Sequence, residues 1–468
     1  MAILQDNEGS LNAMSINSKN DTNKFRKNPY PGEELAALNE SPATPYDPHA
    51  HRNIEHPTTN TETLIHILKG CLGTGILAMP DAFKNSGLIV GTVGTFLIGI
   101  LCTYCLLVLI RCQYEICKRV RKPIISYPDT MKYALLQGPP FLRFATNLSA
   151  PIVDGFLIAY QLGICCVYTM FIAENINKVI YDTWHYEMDT RIYTLILTPL
   201  LIAITLIRNL KLLAPFSQAA NFAMFLGLGI LLYYIFQEFP SIGSVNFVGS
   251  PIRYTFFIGT TLFALEAVGV VLTLENNMKT PKSFGGVTGI LSVGMSTVTV
   301  LYVIMGFLGY VKYGEKVYGS ITLNIPETIL ARLVKLIFAF AIYITYALQC
   351  YVPVDIIWMF YLKERFTKRE NTLLIQYGLR IICVIITILL AIAIPYLNLF
   401  ISLIGALCLS MLGITFPALI EICILYPNNF GKLNYILLKN VILIIIGIFA
   451  GVLGTVLAIT DIISKSQS

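Results

Sequence analysis

The chain predicts an all-α polytopic membrane protein with eleven transmembrane helices. Three observations carry that reading. Its 468 residues are 55% hydrophobic and 13% charged, with a mean hydropathy of +0.68, a balance foreign to soluble domains. Apolar runs of about 20 residues, long enough to cross a hydrocarbon core, recur along most of the chain. Basic residues gather in alternate connections between those runs, as the two faces of a bilayer require.

Residues 1–57 are rich in Asn, Ser, Pro and charge and have no apolar period, so a disordered tail is expected. No apolar core with a cleavage site follows the start, which argues against a secretory signal peptide. His49, His51 and His56 lie close together in that tail. With no cysteine or ordered frame beside them, they read as solvated side chains and not as metal ligands. The membrane domain is expected over residues 58–461, with spans centred near 73, 100, 161, 198, 225, 264, 298, 345, 384, 410 and 450. The runs at 381–394 and 441–459 contain no charge. Spans one to five (about 58–237) and six to ten (about 251–424) form two halves. An eleventh helix (about 439–461) and a short end (462–468) follow.

Orientation follows from the basic residues. With the tail inside, the connection after the second span carries Arg111, Lys118, Arg119, Arg121, Lys122, Lys132 and Arg143. The opposite face receives fewer cations, which predicts a cytoplasmic amino terminus and, after eleven crossings, a carboxyl terminus outside or in a lumen. The net charge of +6 is then topology and no sign of nucleic-acid binding. All eleven cysteines fall in or beside spans. Cys102 and Cys105 have CxxC spacing inside an apolar helix, without a second ligand pair, and read as packing. The outer loops 175–190 and 312–330 lack cysteine, so no disulfide is expected there.

The first span reads His66-Ile-Leu-Lys-Gly70-Cys-Leu-Gly73-Thr-Gly75. Each glycine costs about 1 kcal/mol against alanine in a helix. Non-helical backbone at membrane depth is tolerated only inside protein or along a watery cavity. A helix broken there offers main-chain N–H and C=O groups to a ligand, as discontinuous helices of secondary transporters do. The sixth span, Phe256 to Leu274, carries Glu266 at its centre between Gly259 and Gly269. These two segments open the two halves, the pattern an inverted repeat leaves. An ionised carboxylate at mid-membrane costs about 2.5–3.5 kcal/mol, so Glu266 is expected to face a cavity or partner, the alternative being a neutral acid bonded to a neighbouring helix. His66 lies one turn before Gly70 and titrates near neutrality, which suits reversible proton loading; the alternative is a ring satisfied by a carbonyl. Tyr160, Phe263, Tyr343 and Thr345 are candidates to complete a pocket around Gly70, Gly73, Thr74 and Gly75. Asp154, Asp355 and Glu421 sit nearer helix ends, where solvation is cheaper. Gly447-xxx-Gly451, like Gly285, Gly286, Gly289 and Gly294 of the seventh span, reads as close packing within the chain, the rival for the first pair being a dimer face. No nucleophile–base pair or metal cluster falls within the spans, so no enzyme and no cofactor are expected; nor does a charged ring or carbonyl repeat suggest a channel.

The stretch Glu62-Thr-Leu-Ile-His-Ile-Leu-Lys-Gly-Cys-Leu-Gly-Thr-Gly-Ile-Leu-Ala-Met-Pro80, followed by Phe83-Lys-Asn-Ser-Gly87, closely resembles proton-coupled amino acid transporters of the amino acid/auxin permease family. Phe257 to Glu266, Leu274-Glu-Asn-Asn-Met-Lys279 and Gly319-Ser-Ile-Thr-Leu-Asn-Ile-Pro326 resemble them too, and the likeness runs from about residue 58 to 461. The resemblance implies a LeuT-like five-plus-five inverted repeat plus one helix, with helices 1 and 6 broken. It implies proton-coupled symport of small neutral amino acids such as glycine, alanine or proline. It assigns proton coupling to His66, the unwound segment to Gly70, Gly73 and Gly75, and the sixth-span glutamate to Glu266. The outer-loop disulfide of vertebrate members has no counterpart here. Sodium coupling, uniport and a nutrient sensor signalling through the tail remain open alternatives, and so do the plasma membrane and the lysosome.

Overall fold

Four of the helices begin where the chain supplies a side chain to cap them. In the computed structural model, which describes residues 46–52, 54, 57–71, 73–207, 210–237, 245–265, 267–366, 372–427 and 429–467, the first long helix opens on a reciprocal box. The Thr59 N–H donates to Glu62 Oε2 at 2.8 Å and the Glu62 N–H to Thr59 Oγ1 at 3.3 Å. The helices are α1 (Asn60–Cys71), α2 (Thr74–Ser86), α3 (Leu88–Val120), α4 (Tyr127–Gln137), α5 (Thr146–Trp184), α6 (Thr190–Thr205) and α7 (Leu210–Phe236). After them come α8 (Tyr254–Ala264), α9 (Val268–Asn276), α10 (Ile290–Tyr313), α11 (Ile329–Ile357), α12 (Thr372–Ala393), α13 (Leu397–Leu425) and α14 (Tyr435–Gln467). Ser126, Asp189 and Thr328 cap α4, α6 and α11, each accepting a hydrogen bond from a first-turn N–H.

Among the described residues nine helical segments are long and apolar enough to cross a bilayer, with α8 and α9 counting together as one (Pro251–Asn276), and α1 with α2, bent by 54° at their junction, brings the number to ten. The remaining expected span, α6, is apolar but has only 16 residues. At about 1.5 Å per residue it reaches about 24 Å, short of a hydrocarbon core of about 30 Å. At its end Arg380 of α12 donates to the Thr205 carbonyl at 2.7 Å and satisfies one acceptor of the last turn.

Exposed apolar stripes mark the lipid face. On α14, Leu438, Ile442, Ile445, Phe449, Val452, Val456 and Ile459 recur every three or four residues and all face outward. The opposite face of α14 carries Gly447, Gly451 and Gly454, where a Cβ would run into Thr415, Ser410 and Ala406 of α13. The Gly447-xxx-Gly451 pair thus packs within the chain. The other glycine group is corrected: Gly285, Gly286 and Gly289 precede α10 instead of lying within it, and Gly286 has a φ of +99° that favours glycine. Only Gly294 packs inside the helix, against Ile67 of α1.

Two groups of helices emerge. The broken pair α1/α2 packs with α3, α8, α9 and α10, while α5, α6, α11 and α12 pack with one another. Helices at matching places in the two halves meet: α2 on α8, α3 on α10, α5 on α11 and α6 on α12. α8 also packs tightly on α13, because glycines there let backbones touch: a Cβ on Gly405 of α13 would fall 1.9 Å from the Gly259 carbonyl of α8.

Candidate functional site

The break between α1 and α2 is the feature around which polar groups converge. α1 ends at Cys71 and α2 starts at Thr74, with Gly73 as its N-cap. The Cys71 carbonyl accepts a hydrogen bond from the Tyr302 hydroxyl of α10, a phenol fully buried beneath the break. The three glycines of the motif do three different things. A Cβ on Gly73 would meet only the Tyr168 hydroxyl of α5, at 3.5 Å, so this position faces open space. A Cβ on Gly75 would lie 2.7 Å from the Ala264 Cα of α8, so Gly75 permits a close helix crossing. A Cβ on Gly70 would make ordinary contact with Val270 of α9 at 3.4 Å.

Two hydroxyls flank that crossing without a hydrogen-bond partner among the described residues. Thr74 Oγ1 and Thr261 Oγ1 are both buried and unsatisfied. Thr261 lies three residues before Ala264, so it shares the α8 face that meets Gly75. A buried hydroxyl left unbonded costs about 1–3 kcal/mol, which a polar ligand at the break would recover.

The other expected residues make contacts of their own. His66 is half-buried on α1, one turn before Gly70. Phe263 turns toward α13, where a Cβ on Gly405 would lie 3.0 Å from its own Cβ. Tyr160 is buried on α5, eight residues and about 12 Å along the axis from Tyr168. The Tyr343 hydroxyl donates to the Leu200 carbonyl of α6 at 2.9 Å, and Thr345 bonds back to Ala341 of its own helix at 2.8 Å. Glu266, in the gap between α8 and α9, lies outside the described residues. The structure therefore gathers Gly73, Thr74 and Gly75 with Tyr168, Thr261 and Tyr302, and these last three escaped sequence reasoning. Helical register from the span ends was the one signal that could have placed them.

The segment preceding α1 docks on one end of the bundle. Residues 46–52, expected within the disordered tail, form a short 3₁₀ turn (Pro48–His51) and dock. Arg52 holds Glu275 of α9 through two parallel bonds of 3.0 Å, and also donates to the Glu275 carbonyl at 3.1 Å and the Pro123 carbonyl at 3.2 Å. Both side chains are 4% exposed. Thr58 and Met278 then pair like two short strands, through bonds of 2.8 and 2.9 Å to Asn277 and from Lys279. Asp47 meets Lys282 at 3.1 Å, and His49 stacks on Tyr114 of α3 with ring centres 4.6 Å apart. Burial, reinforced by the neighbouring Arg52, pushes His49 down to about 4, so the ring is neutral at pH 7. His51 stacks on Tyr46, and His56 lies outside the described residues.

The other end carries an open cavity of about 560 Å³ between α5, the start of α6 and the loop after α10. Near it, Asp182 of α5 is clamped by Lys335 of α11 at 2.6 Å and by Lys178 at 2.9 Å. Asp182 and Lys335 are completely buried side chains. The latch engages residues just before α10 and the cavity wall includes Tyr318 just after it, so the length of α10 separates them.

The family model described as transmembrane amino acid transporter protein matches residues 56–460. The chain belongs to that family. Similar proteins include the "proton-coupled amino acid transporter-like protein pathetic" of Drosophila melanogaster, 43% identical over 420 residues covering 89% of this chain and 88% of the relative. Another is the "probable amino acid transporter skat-1" of Caenorhabditis elegans, 25% identical over 434 residues, 87% of this chain and 91% of the relative. Among solved structures, Mhp1, a nucleobase-cation-symport-1 family transporter in a closed conformation with bromovinylhydantoin bound, is similar in fold. Its TM-score is 0.50 at 13% identity, over 91% of this chain and 95% of that one. This member of the amino acid transporter family therefore has, among the described residues, a helical membrane fold similar to that of Mhp1, and its relatives are transporters and not enzymes.

Proposed function

We propose that the chain is a secondary active transporter that carries small neutral amino acids together with protons by alternating access. The observation that carries this reading is the break between α1 and α2, where open space at Gly73 and two unsatisfied hydroxyls meet at a helix start. N–H groups from Gly73 to Gly75, at the positive end of the α2 dipole, take the substrate carboxylate. Carbonyls released between α8 and α9, beside Phe263, take the ammonium group. Thr74 and Thr261 complete the polar shell. The Tyr168 hydroxyl, 3.5 Å from where a Gly73 Cβ would stand, leaves room for a short side chain, which favours glycine, alanine or proline. His66 accepts the proton and Glu266 supports or relays it. The printed name of the Drosophila relative agrees with proton coupling.

The amino terminus faces the cytoplasm, so the described state is closed inside by the Arg52–Glu275 latch and open outside or to a lumen through the cavity. Eleven crossings follow if α6 and the bent pair both span. The pairing of α2 with α8, α3 with α10, α5 with α11 and α6 with α12 supports two inverted halves. A zwitterion moving with one proton carries one positive charge, so each 100 mV supplies about 2.3 kcal/mol, or nearly fifty-fold accumulation.

The test is uptake of radiolabelled alanine, glycine and proline into liposomes holding the purified protein, at an external pH of about 5.5 and about 7.5. Uptake should rise at the lower pH and survive replacement of sodium by choline. Uptake that vanishes with sodium would sink proton coupling.

A further inference from the structure

The outer cavity holds a carboxyl group that the proposed mechanism does not use. Glu174 lies on α5 and lines the cavity wall, half-buried. It has no hydrogen bond and no ion pair among the described residues. Every neighbouring acid is committed or solvated. Asp182 is held between Lys178 and Lys335, at 2.9 and 2.6 Å. Glu327 leans on Lys178 at 3.6 Å with half its side chain in solvent. Asp189 caps α6 by accepting the Arg191 N–H at 2.9 Å, and Glu187 is exposed at the mouth. The remaining ionisable groups facing this space are the phenols Tyr181 and Tyr318. Lys178, one turn toward the mouth, is the nearest cation on the same helix, and its charge is spent on Asp182 and Glu327.

Depth adds the second argument. Glu174 lies eight residues, about 12 Å, deeper along α5 than Asp182, and six residues, about 9 Å, short of Tyr168. Tyr168 is the residue that faces Gly73 at the break. A carboxylate without a counter-charge, wetted from outside and placed between mouth and break, is suited to hold a proton and is poorly suited to hold a structure together.

We infer that Glu174 is the entry acceptor for the coupled proton on the outer side. Its carboxylate takes a proton from a hydronium ion in the cavity, releasing water and becoming a neutral acid. It returns to the carboxylate when that proton passes inward to the acceptor at the break. This assignment rests on the proton-coupled reading above, and its test separates the two.

Full-length protein with Glu174→Gln or Glu174→Asp is reconstituted, and a mixture of labelled alanine, glycine and proline is the probe. Two rates are read: uptake driven by an acidic exterior, and exchange of internal for external amino acid at equal pH. Glu174→Gln should lower acid-driven uptake at least about tenfold and flatten its pH profile, with exchange within about twofold of the parent and an unchanged melting temperature. Glu174→Asp should restore acid-driven uptake with a displaced profile. A Glu174→Gln protein with the parent pH profile would overturn the assignment. So would loss of exchange together with uptake in a folded variant, which would make Glu174 a substrate contact. A parent protein indifferent to pH would instead overturn proton coupling itself, and this assignment with it.

Discussion

The two ends of the bundle each bury an ion pair, yet the pairs hold very different things. At one end Arg52 and Glu275 tie a seven-residue segment, 46–52, across the start of the α9–α10 connection. At the other, Lys335 and Asp182 join α5 to α11, two long helices and the most extensively packed pair among the described residues. A segment can peel away and dissolve its pair in water; two long helices cannot. On the alternating-access proposal, the same chemistry would serve as a releasable latch in one place and a permanent staple in the other.

Four substitutions or conditions probe this contrast. The largest effect is expected at the staple. Asp182→Ala leaves the Lys335 ammonium buried without a partner and should cost about 3–5 kcal/mol, read as a fall in thermal unfolding temperature. Adding Lys335→Met should recover part of that loss, and an unchanged melt in the single variant would show that the pair is not buried in the membrane-embedded protein. Midway between the ends, Tyr302→Phe removes the donor to the Cys71 carbonyl and should destabilise by about 1–3 kcal/mol, with weaker substrate binding by calorimetry. At the latch, Arg52→Ala should barely move the melting temperature. Hydrogen exchange at the Lys279 amide should accelerate about tenfold or more, because its bond to Thr58 depends on the seated segment. A melting loss as large as that of Asp182→Ala would erase the distinction between the two ends.

The smallest effect concerns pH. His49 is held near 4 when the segment is docked, below the usual 6.5 of a free imidazole. A histidine lowered in the folded form contributes fully above about pH 6.5 and loses that contribution as pH falls toward 4. Acidifying the side that carries the segment from about pH 7 to 6.5 should therefore loosen the latch by only a few tenths of a kcal/mol, and further acidification by at most about 1.4 kcal/mol per unit. Exchange at Lys279 should rise with acidity after correction for intrinsic chemistry, and His49→Gln should abolish that trend.

Much of the fold was legible because a bilayer enforces a length, and apolar runs of that length stand out without any partner. The first break was legible for a related reason, since three glycines in six residues contradict a helix wherever they occur. The partner at the end of α6 was hidden, because Arg380, which bonds the Thr205 carbonyl, lies 175 residues away. The latch was hidden too: Arg52 is polar and aperiodic, and Glu275 lies 223 residues further on. Site tyrosines were the hardest to choose. With 26 tyrosines in the chain, Tyr160 and Tyr168 look alike in sequence, and only helical phase and depth bring one of them to Gly73. The Tyr343 and Thr345 hydroxyls are bonded to the Leu200 and Ala341 carbonyls, partners that the sequence does not show.

The eleven cysteines are all buried. A thiol reacts as its thiolate and only where a reagent can reach it, so these side chains are chemically quiet in the native protein. A membrane-impermeant maleimide should therefore find almost no background, and one cysteine introduced beside Arg52 or Glu174 would report by itself which mouth is open at any moment.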